Sequence, residues 1–283
     1  MSAQVFDSRN CTLGEGPLWH PERQQLFWFD IQGKRLMSRD ESGPLEWQFD
    51  EHVSAAGWVD HDTLLIASET ALFRFGFAGG TREDVAALEA DNPVTRSNDG
   101  RADPFGGFWI GTMGKNAEPG AGAIYRFYKG ELVQLVPGIT ISNAICFSPD
   151  GRYVYYTDTP TRRILRQPLD GEGWPKGPAQ LFADLSSEGL NPDGAVVDGE
   201  GCLWCAQWGA ARVARYAPDG AFLSAIEYPA SQMTCPAFGG PDLQTLFATS
   251  AAEGLDPAGD NDGRTFVVKT GTAGQAEHRV LLD

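Results

Sequence analysis

Residues 144–158, AICFSPDGRYVYYTD, read as two short apolar strands joined by the turn Pro149-Asp150-Gly151. Apolar runs on either side of such a turn are a β-hairpin signal. The same grammar returns in GPLWHPERQQLFWFD from Gly16, GWVDHDTLLIAS from Gly57 and GRADPFGGFWIGT from Gly100. It returns again in GAVVDGEGCLWCAQ from Gly194 and PAFGGPDLQTLFATS from Pro236. The six starts are 41, 43, 44, 50 and 42 residues apart. A near-constant period of that size, filled with short strands, is the mark of a four-stranded propeller blade.

Weaker strands such as AIYRFY, RRILRQPL, ARVARYAP and TFVVK follow as the outer strands of their blades. Helical periodicity is confined to a short turn at residues 83–90. The expected fold is therefore all-β: a six-bladed β-propeller of four-stranded antiparallel blades, forming one domain over residues 1–283. Residues 4–7 and 279–282 both read as strands, and their pairing in one blade would close the ring and protect its edges. Trp19, Trp28, Trp109 and Trp204 fall in strand cores, where packing between blades is their expected role rather than a ligand platform.

The composition narrows the partners. With 22 Lys+Arg against 38 Asp+Glu, the net charge of −16 supplies no basic surface for nucleic acid or for an anionic membrane. No signal-like apolar run opens the sequence, and no stretch is long enough for a membrane helix. Five scattered cysteines suit reduced thiols and a cytoplasmic location. Cys202 and Cys205 would point to opposite faces of a strand, which is wrong for a zinc knuckle. His20 and His61 fall in turns and are expected at the surface. Nothing sets an oligomeric state beyond a monomer or weak oligomer.

In a propeller, residues just ahead of each innermost strand converge on one end of the central channel. Aligning the repeats places Glu15, Asn98, Asn143 and Asp193 at that offset, with Ala55 and Cys235 in blades two and six. Two carboxylates and two amide carbonyls form an all-oxygen set suited to a hard divalent cation. Taken singly, each also reads as a turn or solvated residue. No G-x-S-x-G, H-E-x-x-H, phosphate loop or dinucleotide fingerprint is present.

LGEGPLWHP from Leu13, TRSNDGRADPFGGFWIGTM from Thr95, SNAICFSPDGRYVYYTDT from Ser142 and NPDGAVVDGEGCLW from Asn191 carry a resemblance. They are similar to the senescence-marker protein/gluconolactonase/luciferin-regenerating family, as is FGGPDLQTLFATSA from Phe238. The resemblance implies a six-bladed propeller holding one divalent cation, with hydrolysis of sugar-acid lactones in many members. Calcium leads among the candidate ions, with magnesium, manganese or zinc as alternatives.

Residue by residue, the resemblance makes Glu15, Asn143 and Asp193 the metal ligands. It makes Arg96 and Asn98 substrate contacts, with Asn98 also able to approach the metal. Animal members carry a sugar-contacting Glu three residues after Gly-Thr-Met; Asn116 stands there in this chain. Lys115, Asn116 and Glu118 are expected on a loop over the channel mouth, to read sugar hydroxyls or simply as exposed polar residues. The alternative for Arg96 is a structural ion pair, for example with Asp99 or Asp103.

The function expected is a metal-dependent, gluconolactonase-like hydrolase of a small sugar-acid lactone, with Asp193 as the catalytic base. The alternatives are a non-enzymatic calcium-binding regulator of the regucalcin type, a propeller esterase or phosphotriesterase, and an interaction scaffold.

Overall fold

The computed structural model describes residues 2–282. It contains six four-stranded antiparallel sheets. Blade one comprises Gly14–His20, Gln25–Asp30, Arg35–Asp40 and Gly43–Gln48; blade two comprises Val53–Asp60, Thr63–Ser68, Ala71–Gly76 and Thr81–Ala87. Blade three comprises Thr95–Ala102, Phe108–Gly114, Gly122–Tyr128 and Glu131–Ile139; blade four comprises Ser142–Phe147, Tyr153–Asp158, Arg163–Pro168 and Gln180–Asp184. Blade five is Asn191–Val197, Leu203–Trp208, Arg212–Tyr216 and Phe222–Glu227. Blade six joins Gln232–Gly239, Thr245–Ala251 and Thr265–Lys269 to the N-terminal strand Gln4–Asp7.

The burial pattern explains the sequence pattern. The first two strands of blade one lie between neighbouring blades and are buried on both faces, whereas its outer strand Gly43–Gln48 alternates between partly buried and exposed. In Thr63–Ser68, Leu64 and Ile66 point into the core shared with blade one. Leu65 and Ala67 point into the core shared with blade three. Six such cores lie between successive blades all round the ring. Each fully buried Leu, Ile or Phe in them contributes about 1.5–3 kcal/mol. The tryptophans serve these contacts: Trp19 stacks on Phe247, while Trp109 meets Phe147 and Trp204 meets Phe238 edge-on.

The ring closes through the terminal strands, with Gln4 opposite Val267 and Val5 opposite Phe266. The partner of the N-terminal strand is thus Thr265–Lys269, and residues 279–282 belong to no sheet. That tail instead crosses between blades two and three, where Val280 donates to the Trp58 carbonyl at 2.9 Å and Leu281 to that of Gly106 at 2.8 Å. Val280 is fully buried in the core between them. The expected helical turn at residues 83–90 is also replaced by strand, because Thr81–Ala87 finds backbone partners along Ala71–Gly76. Among the described residues the only helices are three short 3-10 turns, and no helix is long and apolar enough to cross a membrane.

His61 is exposed, but His20 is not the surface residue its turn-like position suggests. It is buried against Phe27, Trp58 and Phe77, and its Nε2 lies 3.0 Å from the Asp60 carbonyl. All five cysteines are buried, unpaired thiols.

Candidate active site

Every innermost strand carries one extra residue relative to its partner near the same end of the channel. The register slips between Glu15 and Leu18, Ser97 and Gly100, Asn143 and Cys146, and Pro192 and Ala195. Blades two and six show the same feature. A bulge breaks the alternation of side chains and re-aims them. It also refines the single offset expected from the repeats. Glu15 and Asn143 are the last paired residues before the bulge, opposite Phe29 and Thr157, whereas Asn98 and Asp193 lie inside it. After Glu15 the backbone turns left-handed at Gly16, with φ of 52°. A Cβ there would sit 2.2 Å from the Ser54 carbonyl oxygen, so only glycine fits.

The four residues nevertheless meet, with Arg96, in one cavity of about 410 Å³. Glu15 and Asp193 are each only 5% exposed. Asn98 donates from Nδ2 to the Ser142 carbonyl at 2.8 Å and to Asn143 Oδ1 at 3.2 Å. Its Oδ1 accepts from Arg96 Nη1 at 2.8 Å. Arg96 Nη1 also donates to the Ser97 carbonyl at 2.9 Å. Among the described residues Arg96 has no carboxylate partner, and its buried Nε has no partner at all. Asp103 pairs with Arg126 instead, and Asp99 accepts from the Ile145 N–H.

The charges are poorly offset. Burial pushes the Glu15 carboxyl up to about 8, and the charge of Asp99 adds to this against the Gly16 N–H and Arg96. Burial, then Glu15 and Asp99, raise Asp193 well above the ordinary carboxylate range. Burial lifts Asp99 to about 6. Burial also pulls the Arg96 guanidinium down, opposed by Glu253, Glu15, Glu69 and Asp193. Crowded, buried carboxylates beside an amide oxygen fit a hard divalent cation, whose charge would remove the penalty that raises them. Glu15, Asn143 and Asp193, which line the same cavity, could hold it through their oxygens.

The mouth differs from expectation in detail. Lys115 and Asn116 line the cavity, whereas Glu118 turns to Asn116, accepting from its N–H and its Nδ2 at 3.0 Å each. Lys115 Nζ lies 2.5 Å from Glu69. Burial would raise Glu69, but hydrogen bonds from Lys115 and His52 hold it down to about 2.

Gln32, Thr159, Trp208 and Glu253 also line the cavity, and the repeat alignment did not single them out. All stand at or just beyond the end of the second strand of a blade, as do Glu69 and Lys115. In an antiparallel hairpin the end of strand two lies beside the start of strand one. A second ring of site residues was therefore encoded at the other end of each hairpin.

The chain is similar to known proteins over nearly its whole length. The SMP-30/Gluconolactonase/LRE-like region matches residues 13–252. An L-arabinolactonase from Azospirillum brasilense is 36% identical, over 97% of this chain and 94% of its own length. A 6-deoxy-6-sulfogluconolactonase from Pseudomonas putida is 36% identical, over 85% of this chain and 84% of its own. The crystal structure of a calcium-binding protein, regucalcin, from Agrobacterium tumefaciens superposes with a TM-score of 0.96 at 40% identity, covering 99% of this chain and 97% of that one.

Proposed function

Since the chain belongs to the SMP-30/gluconolactonase/LRE-like family, we propose that it is a metal-dependent hydrolase opening the ester ring of an aldono-1,4- or 1,5-lactone in sugar-acid catabolism. The chain is a lactonase in kind, as its named relatives are. The observation that carries the finer reading is the meeting of Glu15, Asn143 and Asp193 with Arg96 and Asn98 in one cavity.

A divalent cation bound by Glu15, Asn143 and Asp193, calcium first among the candidates, would polarise the lactone carbonyl and acidify water. Asp193 is the catalytic base: its carboxylate, buried in the cavity, holds a water by hydrogen bond and takes its proton as the oxygen attacks the carbonyl carbon. Beside a bound cation the Asp193 carboxylate would stay ionised at neutral pH, ready to accept that proton. Arg96 binds a substrate oxygen through Nη2, with Nη1 held by Asn98 and the Ser97 carbonyl to fix its orientation. As the ring ester C–O bond breaks, the proton held at Asp193 is delivered to the leaving oxygen, giving the open hydroxy acid. Asn98 and Asn116 complete a polar wall for sugar hydroxyls. That wall favours a hydroxylated lactone over aryl-ester or organophosphate substrates. Five buried thiols support a reducing, cytoplasmic setting.

Acid release from a panel of sugar lactones, before and after chelation and with cations added back, tests this reading. No hydrolysis above the uncatalysed rate for any lactone, with a cation still bound, would leave the calcium-binding regulator in its place.

A further inference from the structure

At the site one hydroxyl of blade four bonds both an inner-strand asparagine of its own blade and the backbone of blade five. Thr159 opens the 3-10 turn Thr159–Thr161 that follows the second strand of blade four. Its Oγ1 accepts from Asn143 Nδ2 at 3.0 Å and donates to the Pro192 carbonyl at 2.8 Å. Its backbone N–H is fixed on the Ile141 carbonyl at 3.0 Å. At the end of the turn, Arg162 Nε donates to Asn191 Oδ1 at 3.1 Å, docking the turn on the inner strand of blade five.

The chain of bonds has one sense only. A carboxamide is two-ended, and nothing in its shape says which end faces the channel. A guanidinium only donates and a backbone carbonyl only accepts. Arg96 stands at one end of the chain and the Pro192 carbonyl at the other. The Thr159 hydroxyl has one proton and gives it to Pro192, so towards Asn143 it can only accept. Asn143 must then present Nδ2 to Thr159 and keep Oδ1 on the channel side, where Asn98 Nδ2 meets it. Pro192 immediately precedes Asp193. The same hydroxyl therefore sets the sense of one donor and tethers the strand that carries another.

We propose that Thr159 is a positioning residue for the cation: its hydroxyl locks the Asn143 oxygen towards the channel and couples Asn143 to Asp193. This rests on the reading of Glu15, Asn143 and Asp193 as ligands. Hydrogen-bonding partners behind metal ligands commonly govern affinity by roughly 10–100-fold.

The test is calcium titration by calorimetry on chelator-stripped wild type, Thr159→Val and Thr159→Ser, at a temperature well below each melting point. The expected result is a loss of about tenfold or more in affinity for Thr159→Val, with Thr159→Ser within about threefold of wild type. Should Thr159→Val not fold, Thr159→Ala against Thr159→Ser makes the same comparison. Unchanged affinity without the hydroxyl, or equal loss in the serine variant, overturns the proposal. A wild type that binds no divalent cation overturns the ligand reading beneath it.

Discussion

Asn98 Nδ2 lies 3.2 Å from Asn143 Oδ1, across the junction of blades three and four. With its Oδ1 on Arg96 and its Nδ2 also on the Ser142 carbonyl, Asn98 is bonded within the protein at both ends. Beyond the one lone pair its Oδ1 keeps for a sugar hydroxyl, its contribution to turnover should come through its neighbours. Asn98→Ala is expected to raise KM and lower kcat together, each by roughly tenfold, because a bond to a charged group contributes about 1.5–3 kcal/mol. Steady-state kinetics on the best lactone provides the check, and changes under twofold in both constants would show Arg96 and Asn143 to be held without it.

Asp193→Asn separates catalysis from stability. Turnover should fall by roughly 10²–10⁴-fold with loss of the general base. Yet the metal-free variant should melt above metal-free wild type, because Asp193 is buried beside Glu15 and Asp99 with its charged form disfavoured. Added calcium should raise the melting temperature of wild type far more than that of the variant. Near-normal turnover would remove Asp193 from its role as base.

The metal-free protein should lose stability as pH rises. Burial raises Glu15 to about 8 from an ordinary 4.5 and lifts Asp193 and Asp99 with it, so the folded state holds extra protons on this cluster across that window. Stability then decreases with pH across that window, the reverse of a salt-bridged carboxylate. Protons and cations compete for the same oxygens, so calcium affinity should rise over the same range. Thermal melts in chelator and calorimetric titrations at several pH values measure the two slopes, and a flat or rising melting temperature would contradict the burial assigned to the Glu15, Asp99 and Asp193 cluster.

The blades were legible because both faces of a second strand are buried, leaving runs such as LFWF and LLIA between polar turns at a fixed period. Closure was only half legible. Residues 279–282 have the apolar character of a strand, but Val280 uses it to fill the core between blades two and three beneath Gly57, where even a Cβ would clash. The inner ring of Glu15, Asn98, Asn143 and Asp193 could be read from its place before each first strand. The bulges could not, since one inserted residue leaves no mark in a repeat whose spacing already varies. Thr159 and Glu253 escaped because their meaning lies in what crosses from one blade to the next.

Two blades share a construction that makes their stabilities comparable. Asp103 accepts the N–H groups of Phe105 and Gly107 on Oδ1, and Trp109 Nε1 and Arg126 Nε on Oδ2. Asp198 repeats this with Glu200, Cys202, Trp204 and Arg215. The Asp103–Arg126 pair is wholly buried, whereas Arg215 is 17% exposed and also meets Glu200. Removing one partner of a buried pair strands the other charge, at about 3–5 kcal/mol. Asp103→Ala should therefore approach that loss and Asp198→Ala should cost less, as measured by urea midpoints. Equal losses would mean that the turn and tryptophan bonds, common to both, dominate.

Glu253 stands on the wall formed by blade six and supplies a carboxylate that Asn116 does not. Its Oε1 accepts from Gln32 Nε2 at 2.7 Å, and its backbone carbonyl accepts from Gln232 Nε2 at 2.9 Å. Of the carboxylates acting on Arg96, Glu253 acts most strongly. A carboxylate held at its backbone, with acceptor capacity left over, suits a sugar hydroxyl. A site built to bond a hydroxyl discriminates strongly against a substrate that lacks it. Glu253→Gln keeps the shape while making one oxygen a donor. It should raise KM for polyhydroxylated lactones by about tenfold, leave kcat within about threefold, and leave hydrolysis of unsubstituted γ-butyrolactone unchanged. A loss of kcat on both substrates would instead place Glu253 in the chemistry, through its field on Arg96, and an unchanged KM on the sugar lactones would remove it from substrate recognition.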